Sequence, residues 1–232
     1  MQKIIVDGIK GFERDGRAVH YYEQFKALRA KFEYQLDIKK CKVVAVTSAI
    51  AEEGKTSICA NLATNLASAG RKKVLAIDAD LRKSDLARYW KVSAHPGLTD
   101  YLSGLVSLET VVRRPTEKLY FIAGGERIAE ASDLLSGEKF RSFLKEMRSH
   151  FDVILLDTPP IIPVADTMTL RDQIDAFIFI FRIGFTPYTM LRQAVEDIEK
   201  EKVMGVVLNY VDPQRQKYYR QYYGKYYHKE LA

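Results

Sequence analysis

The sequence predicts an α/β fold, with a mainly parallel β-sheet flanked by helices. Six short apolar stretches, rich in β-branched residues, recur along the 232 residues. Their apolar character is nearly continuous and does not alternate with polar residues, as expected of strands buried on both faces. Segments of helical periodicity separate most of them, and this alternation is typical of right-handed βαβ units. The predicted strands are 42–48, 73–78, 119–123, 152–157, 176–182 and 203–210.

Helical periodicity accounts for most of the segments between the strands. An amphipathic segment at 18–36 precedes the first strand, and a second helical segment follows that strand. Glycine is common just past the C-terminus of a helix, so Gly70 marks the predicted end of this second helix. Two later segments precede the fourth and the sixth strand. The three helices that follow the first strand are predicted at 56–70, 138–150 and 189–201.

The composition is that of one globular domain. A chain of 232 residues is long enough for a single α/β domain with a sizeable core. Its longest strongly apolar run, at 176–181, is far too short to span a bilayer, and the N-terminal residues show no signal-peptide core. We therefore expect a cytoplasmic protein that is held at the inner face of the cell membrane by a partner. Cys41 and Cys59 are expected to be free, buried thiols.

The net charge of +6 is modest and unevenly distributed. A good part of the excess lies in the last residues, where five basic side chains are accompanied only by Glu230. The rest of the chain is close to balanced. Basicity of this kind is not evidence for nucleic-acid binding, and we expect no nucleic-acid partner.

A phosphate-binding loop is predicted between the first strand and the helix after it. The sequence there is TSAIAEEGKTS. Such a loop needs backbone N–H groups at a helix N-terminus, a lysine that reaches the β- and γ-phosphates, and a hydroxyl that binds Mg²⁺. The nucleotide contacts are therefore predicted at Glu53, Gly54, Lys55, Thr56 and Ser57.

The loop departs from the usual nucleotide-binding pattern. The pattern G-x-x-x-x-G-K-T is incomplete, because Ala49 occupies the position of its first glycine. Glu52 and Glu53 place two carboxylates beside the expected phosphate site. These carboxylates should lower the affinity for phosphate unless they point outward.

Three aspartates follow the second and fourth predicted strands. Ligands bind beyond the carboxyl ends of strands in an open α/β sheet, so these aspartates are expected to converge on Lys55. Asp157 suits a metal-water ligand, while Asp78 and Asp80 suit either Mg²⁺ or the proton of an attacking hydroxyl. The alternative is that individual members of the set merely cap helices. The metal ligands are predicted to be Thr56, Asp78 and Asp157.

The sequence resembles the bacterial tyrosine kinases that control capsule and exopolysaccharide synthesis. That family adds to its Walker A loop a second motif, three apolar residues and then D-x-D-x-R, which matches Asp78, Asp80 and Arg82. Its Walker B motif matches ILLDTPP, the stretch that contains Asp157. The resemblance extends over nearly the whole chain. It implies a single P-loop NTPase-type domain that uses ATP and Mg²⁺, with Lys55, Asp78 and Asp80 catalytic and Arg82 at the nucleotide.

Two motifs differ from the pattern of this family. The family loop usually reads P-G-E-G-K-[ST], whereas residues 51–56 read AEEGKT and lack both the proline and the first glycine. The family's oligomerisation helix carries E-x-x-R-x-x-R, and the helix at 17–36 carries Glu23, Lys26 and Arg29 at these positions. Lysine keeps the positive charge but not the bidentate fork of arginine, so weaker ring assembly is expected.

The end of the chain carries a cluster of tyrosines among basic residues. Six of the fourteen tyrosines lie in the last fifteen residues. A packed edge strand and a nucleic-acid grip are alternatives, but the pattern best fits an exposed phosphoacceptor segment, which is also a hallmark of the family. Phosphorylation of several tyrosines would change the segment from basic to strongly acidic. The predicted acceptors are Tyr218, Tyr219, Tyr222, Tyr223, Tyr226 and Tyr227.

These observations divide the chain into an N-terminal segment at 1–16, a P-loop kinase domain at 17–212 and a flexible tyrosine-rich tail at 213–232. The predicted function is ATP-dependent phosphorylation of the tail, in trans within a ring-like homo-oligomer. The resemblance further implies two partners, a membrane-anchored polysaccharide co-polymerase or adaptor and a tyrosine phosphatase. Two alternatives stay open. One is an ATPase switch of the partitioning or division-site type, whose loop carries a lysine where this chain has Ile50; the other is a basic RNA-binding or scaffold protein that retains the fold.

Overall fold

The structure is a computed structural model that describes residues 17–128, 131–163 and 166–211. The predicted N-terminal segment and the predicted tyrosine-rich tail, with the six tyrosines predicted to be acceptors, lie outside the described residues. The predictions for the domain between them concern residues that the structure describes almost completely.

One sheet of seven strands forms the centre of the described part of the chain. Its strands are β1 (Val43–Ser48), β2 (Val74–Asp78), β3 (Val112–Arg113), β4 (Leu119–Ile122), β5 (Val153–Asp157), β6 (Ala176–Arg182) and β7 (Val203–Asn209). The order across the sheet is β3-β4-β2-β5-β1-β6-β7, and only β3 is antiparallel to its neighbour. The mainly parallel sheet is therefore confirmed, and all six predicted strands are present. The two-residue β3 was not predicted, because it is too short to show a period.

Helices cover both faces of the sheet. They are α1 (Arg17–Lys39), α2 (Lys55–Ser68), α3 (Leu98–Leu102), α4 (Leu108–Val111), α5 (Ala131–Ser136), α6 (Glu138–His150), α7 (Asp166–Thr169) and α8 (Tyr188–Ile198). The short helices α3, α4, α5 and α7 were not predicted, whereas α6 has the predicted bounds. Gly70 follows α2 with a φ of +74°, and its N–H donates to the Ala67 carbonyl, as expected of a glycine that ends a helix. Helix α8 ends three residues earlier than predicted, where Glu199 has a φ of +75°.

Alternate residues of the central strands pack against different helices. Phe177 and Phe179 of β6 belong to the apolar core on the side of α6 and α8, while Ile178 and Ile180 belong to the core on the side of α1 and α2. Phe25, Phe32 and Leu36 of α1 are buried in the second core. Burial on both faces explains why the strands lack polar alternation, and their parallel orientation places their carboxyl ends together at one edge.

Cys41 and Cys59 are buried free thiols, as predicted. Within the described ranges, none of the helices is both long enough and apolar enough to cross a membrane.

Candidate active site

The predicted phosphate-binding loop joins β1 to α2. Its last residue, Gly54, has a φ of +90°, and a Cβ atom at this position would overlap the side-chain amide of Asn209. Only glycine fits such a position. Among the described residues, no side chain caps the N-terminus of α2. The N–H groups of its first turn are therefore available to an anion, as a phosphate site requires.

Lys55 begins α2 and is largely buried, with 8% of its surface exposed. Thr56 and Ser57 follow it in the same turn and are half-buried. An ammonium group in this position neutralises phosphate charge best where water is partly excluded.

Asp78 and Asp157 lie side by side at the ends of adjacent parallel strands, β2 and β5, where they are register partners. Both are almost completely buried, at 0% and 1% exposure. One oxygen of Asp78 accepts hydrogen bonds from the Ser84 hydroxyl at 2.8 Å and from the Leu86 N–H at 2.9 Å. The Oδ1 atom of each aspartate has no hydrogen-bond partner among the described residues. Each of these two neighbouring buried carboxylates thus has one oxygen atom that could accept a further contact.

Burial makes both carboxylates weaker acids. It raises the pKa of Asp78 to about 7, although the hydrogen bonds from Leu86 and Ser84 act in the opposite direction. Burial and then the charge of Asp78 raise the pKa of Asp157 well above its ordinary value. The positive charge of Lys55 and a hydrogen bond from Thr56 offset this only in part. An added positive charge at this site would therefore favour the ionised form of both aspartates.

These residues fit a divalent cation. A buried carboxylate oxygen without a hydrogen-bond partner is costly, and a bound cation satisfies it. Asp78 and Asp157 each offer one such atom, and Thr56 adds a hydroxyl beside Asp157. In the described part of the chain, no three histidine, cysteine, aspartate or glutamate side chains form a metal-binding group. This arrangement suits Mg²⁺, which takes one or two protein carboxylates and completes its shell with phosphate and water.

The raised pKa values predict how stability depends on pH. In the folded protein Asp78 keeps its proton up to about pH 7, whereas in the unfolded chain it loses that proton near pH 3.8. The stabilising contribution of this proton is therefore lost as pH rises through that window. In metal-free protein, Asp78→Asn should have the same melting temperature as the unmodified chain near the acid end. It should be increasingly more stable than that chain toward neutral pH. Calorimetry across the window checks this, and a difference independent of pH would contradict it.

The other two residues of the second motif lie in the loop that follows β2. Asp80 is half-buried, and its carboxylate accepts the N–H of Lys83 at 3.0 Å. Arg82 is exposed. Their roles at the nucleotide and at the acceptor stay predictions.

The contact of Glu53 with the nucleotide stays a prediction, while its side chain is fully buried and holds the loop. One carboxylate oxygen accepts the Ile50 N–H at 2.9 Å. The other accepts the Arg182 N–H at 3.1 Å and the Thr186 hydroxyl at 2.6 Å. The Glu53 carbonyl accepts the side-chain amide of Asn209 at 2.8 Å. With its carboxylate directed into the protein, Glu53 can contact a phosphate only through its backbone N–H.

Glu52 occupies a backbone conformation that favours glycine. Its φ is +64°, and its position in AEEGKT corresponds to the first glycine of the P-G-E-G-K-[ST] pattern. The left-handed region costs a residue with a side chain about 1 kcal/mol or more. The missing glycine in the sequence therefore has a physical counterpart, a strained residue in the middle of the loop.

Glu52→Gly is expected to remove this strain. We predict a gain of about 1 kcal/mol in the free energy of unfolding and tighter ADP binding, because a larger fraction of the loops would have the binding conformation. Glu52→Gln is the matched control, since it removes the charge and keeps the side chain. Urea unfolding and ADP titration of both variants measure the two effects. Equal gains from glycine and glutamine would assign the effect to charge and not to φ.

The predicted oligomerisation residues make contacts within the chain. Glu23 and Lys26 form an ion pair at 2.8 Å. Arg29 donates to the Asn65 carbonyl on α2 at 3.4 Å and lies 3.8 Å from Glu33. Their role between subunits stays a prediction.

The loop before α2, Lys55 at the start of that helix and the aspartates that end β2 and β5 thus lie at the carboxyl edge of the sheet, and this arrangement is that of a P-loop nucleotide-binding protein. The family model described as an AAA domain matches residues 41–199. The tyrosine-protein kinase YwqD of Bacillus subtilis is 33% identical over 190 residues, which cover 81% of this chain and 80% of YwqD. The VpsO kinase domain is 30% identical with a TM-score of 0.76, covering 87% of this chain and 99% of that domain. The chain belongs to the family of bacterial tyrosine-protein kinases.

Other relatives differ from this chain in length. The tyrosine-protein kinase ptk of Acinetobacter johnsonii is 34% identical over 190 residues, which cover 81% of this chain and 26% of ptk. The chain thus spans about a quarter of the length of ptk.

The septum site-determining protein MinD of Pyrococcus horikoshii is similar in fold, with a TM-score of 0.62 and 23% identity. This likeness extends to the fold alone, so the kinase hypothesis is favoured over the division-site ATPase.

Proposed function

We propose that this chain is an ATP-dependent protein-tyrosine autokinase whose acceptors are the tyrosines of the segment 213–232. The observation that carries the proposal is the pair of buried, incompletely hydrogen-bonded carboxylates of Asp78 and Asp157 beside Lys55. The two carboxylates can hold Mg²⁺ beside the phosphates, as phosphoryl transfer requires. A carboxylate at this edge of the sheet can also accept the proton of an attacking hydroxyl.

The chemistry proposed for the site is the transfer of the γ-phosphoryl group to a tyrosine hydroxyl. The phenol oxygen forms a bond to the γ-phosphorus as the bond to the β-phosphate oxygen breaks, and ADP leaves. Asp78 or Asp80 accepts the phenol proton, while Lys55 stabilises the charge that spreads over the phosphoryl oxygens. Thr56, Asp78 and Asp157 would hold Mg²⁺, which would supply further positive charge to these oxygens.

The acceptor is proposed to come from a neighbouring copy of the chain. A tethered tail has an effective concentration of about a millimolar, so little sequence recognition is needed, in keeping with the repeated tyrosine pairs. Glu23, Lys26 and Arg29 on α1 would contribute to a ring of subunits. Phosphate on several tails would then loosen the ring by like-charge repulsion.

Regulation of capsular or exopolysaccharide synthesis and export is the proposed cellular role. A membrane-anchored co-polymerase or adaptor would recruit the chain from the cytoplasm to the inner face of the membrane, and a tyrosine phosphatase would reverse the modification. The relatives support this in name, since one of 30% identity is the succinoglycan biosynthesis transport protein ExoP of Rhizobium meliloti.

Purified chain incubated with ATP and Mg²⁺ tests the activity. We expect ATP-dependent phosphotyrosine on the tail peptides, detected by antibody and located by mass spectrometry. A chain that ends after Asp212 is the control and should hydrolyse or exchange nucleotide without acquiring the label. Nucleotide binding without any phosphotyrosine, with or without an adaptor segment, would favour the ATPase switch.

Mixing two variants, neither of which can phosphorylate its own tail, tests transfer between subunits. A Lys55→Met chain keeps its tail, and the chain that ends after Asp212 keeps its active site. We expect the Lys55→Met tail to become phosphorylated in the mixture only. An unlabelled tail in the mixture, where the unmodified chain is labelled, would show that transfer occurs within one chain.

A further inference from the structure

The phosphate-binding loop is held from the side of β6 and β7 by the half-buried Arg182 as well as by fully buried groups. Arg182 ends β6, and its guanidinium donates to the Glu52 carbonyl at 3.1 Å. The same guanidinium lies 4.4 Å from the ring centre of Phe185 and 4.2 Å from that of Tyr210. Contacts with two aromatic faces restrict a long side chain that would otherwise sample many rotamers.

The bond to Glu52 falls at the strained residue of the loop. Glu52 is the residue with a φ of +64° where the related pattern has glycine. A hydrogen bond to its carbonyl fixes the plane of the peptide that joins Glu52 to Glu53. A backbone in the left-handed region without such a contact would relax toward a more favourable conformation.

The orientation of this peptide decides where an N–H group points. In a trans peptide the C=O and N–H point in opposite directions, so a carbonyl held toward Arg182 directs the Glu53 N–H away from it. The next peptide is held in the same way, because Asn209 donates to the Glu53 carbonyl at 2.8 Å and the Gly54 N–H faces the opposite side. Successive N–H groups with a common direction form an anion-binding concavity.

We infer that Arg182 is a positioning residue that compensates for the glycine missing at Glu52. It holds the left-handed loop conformation in which consecutive N–H groups face a phosphate. This inference rests on the proposed nucleotide-binding function of the loop. A loop with glycine at position 52 adopts this conformation without help, so Arg182 should matter only while Glu52 has a side chain.

A double-mutant cycle tests the inference. The full chain is compared with Arg182→Met, Glu52→Gly and the double variant, and Mg²⁺–ADP affinity is measured for each. Arg182→Met should weaken ADP binding about tenfold in the chain with Glu52 and less than about threefold in the chain with Gly at 52. In steady-state assays, Arg182→Met should raise the KM for ATP more in the chain with Glu52 than in the chain with Gly at 52, while kcat changes little.

Two further variants separate positioning from general stability. Arg192→Met removes an exposed arginine on α8 and should leave ADP affinity unchanged in both backgrounds. Arg182→Lys keeps the charge but not the planar group, so its ADP affinity should lie between that of the unmodified chain and that of Arg182→Met. It also replaces Arg182→Met in the cycle if the methionine variant folds poorly.

Hydrogen exchange of the loop amides at 50–54 in nucleotide-free protein gives a second measurement that does not depend on nucleotide binding. Arg182→Met should accelerate exchange, and Glu52→Gly in the same chain should restore protection. Equal effects of Arg182→Met in both backgrounds, in affinity and in exchange, would overturn the inference and indicate that Arg182 acts independently of Glu52. If no variant binds ADP, the proposed function fails, and the exchange measurement alone decides the inference.

Discussion

Lys55→Met is expected to lower tyrosine phosphorylation by at least about a thousandfold, because the γ-phosphoryl charge loses its buried cationic partner in the transition state. Lys55 is largely buried at the start of α2, and its charge acts on Asp157 in the same site. Methionine retains most of the apolar stem, so the fold is expected to survive. Radiolabelled ATP and a phosphotyrosine antibody measure the loss.

Lys145→Met is the matched control for this variant. Lys145 is exposed on α6, away from the loop that contains Lys55. The Lys145→Met variant should keep full activity. Undiminished phosphorylation in a cleanly folded Lys55→Met protein, prepared free of other kinases, would show that the site lies elsewhere.

Asp78→Asn combined with Asp80→Asn should also remove phosphorylation, and it should do so in a protein that is more stable than the original near neutral pH. Asparagine at position 78 keeps an oxygen that accepts from Ser84 and Leu86. It removes one of two buried carboxylates whose charges repel each other. The free energy of unfolding in the absence of metal should therefore rise, while the acceptor of the phenol proton is lost.

The opposite signs of the two effects make this prediction specific. Asp197→Asn, a change on the exposed side of α8, is the control and should leave activity unchanged. Unfolding by urea and phosphotyrosine formation are measured on the same preparations. Full activity in the double variant, or a loss of stability near neutral pH, would contradict the proposed role of these carboxylates.

The sequence predicted most of the sheet and the members of the site, because both follow from local patterns. Continuous apolar runs indicated the buried strands, and glycine with a following lysine and hydroxyl indicated the loop before α2. The position of Asp78 opposite Asp157 followed from the rule that parallel strands present their carboxyl ends at one edge. The raised pKa values were not predicted, since they depend on how completely each carboxylate is buried.

The contacts that shape the loop were beyond the sequence patterns. Glu53 meets Arg182 across 129 residues of sequence, and Asn209 meets Glu53 across 156. Only the strand order, which places β6 beside β1 and β7 beside β6, brings these residues together. Whether Glu53 faced the phosphate or the protein interior depended on those distant donors. The glycine missing at Glu52 was visible in the sequence, but its meaning required the φ angle.

The turn between β6 and α8 has a consequence for chain length. Exposed turns usually tolerate insertions and deletions. Here the Arg182 N–H and the Thr186 hydroxyl, at the two ends of a turn that includes Gly184, meet the same oxygen of Glu53. One added or removed residue would break that shared attachment, which is one of the contacts that hold the phosphate-binding loop to the sheet. A surface segment that looks open to variation is thereby fixed in length by a carboxylate buried beneath it.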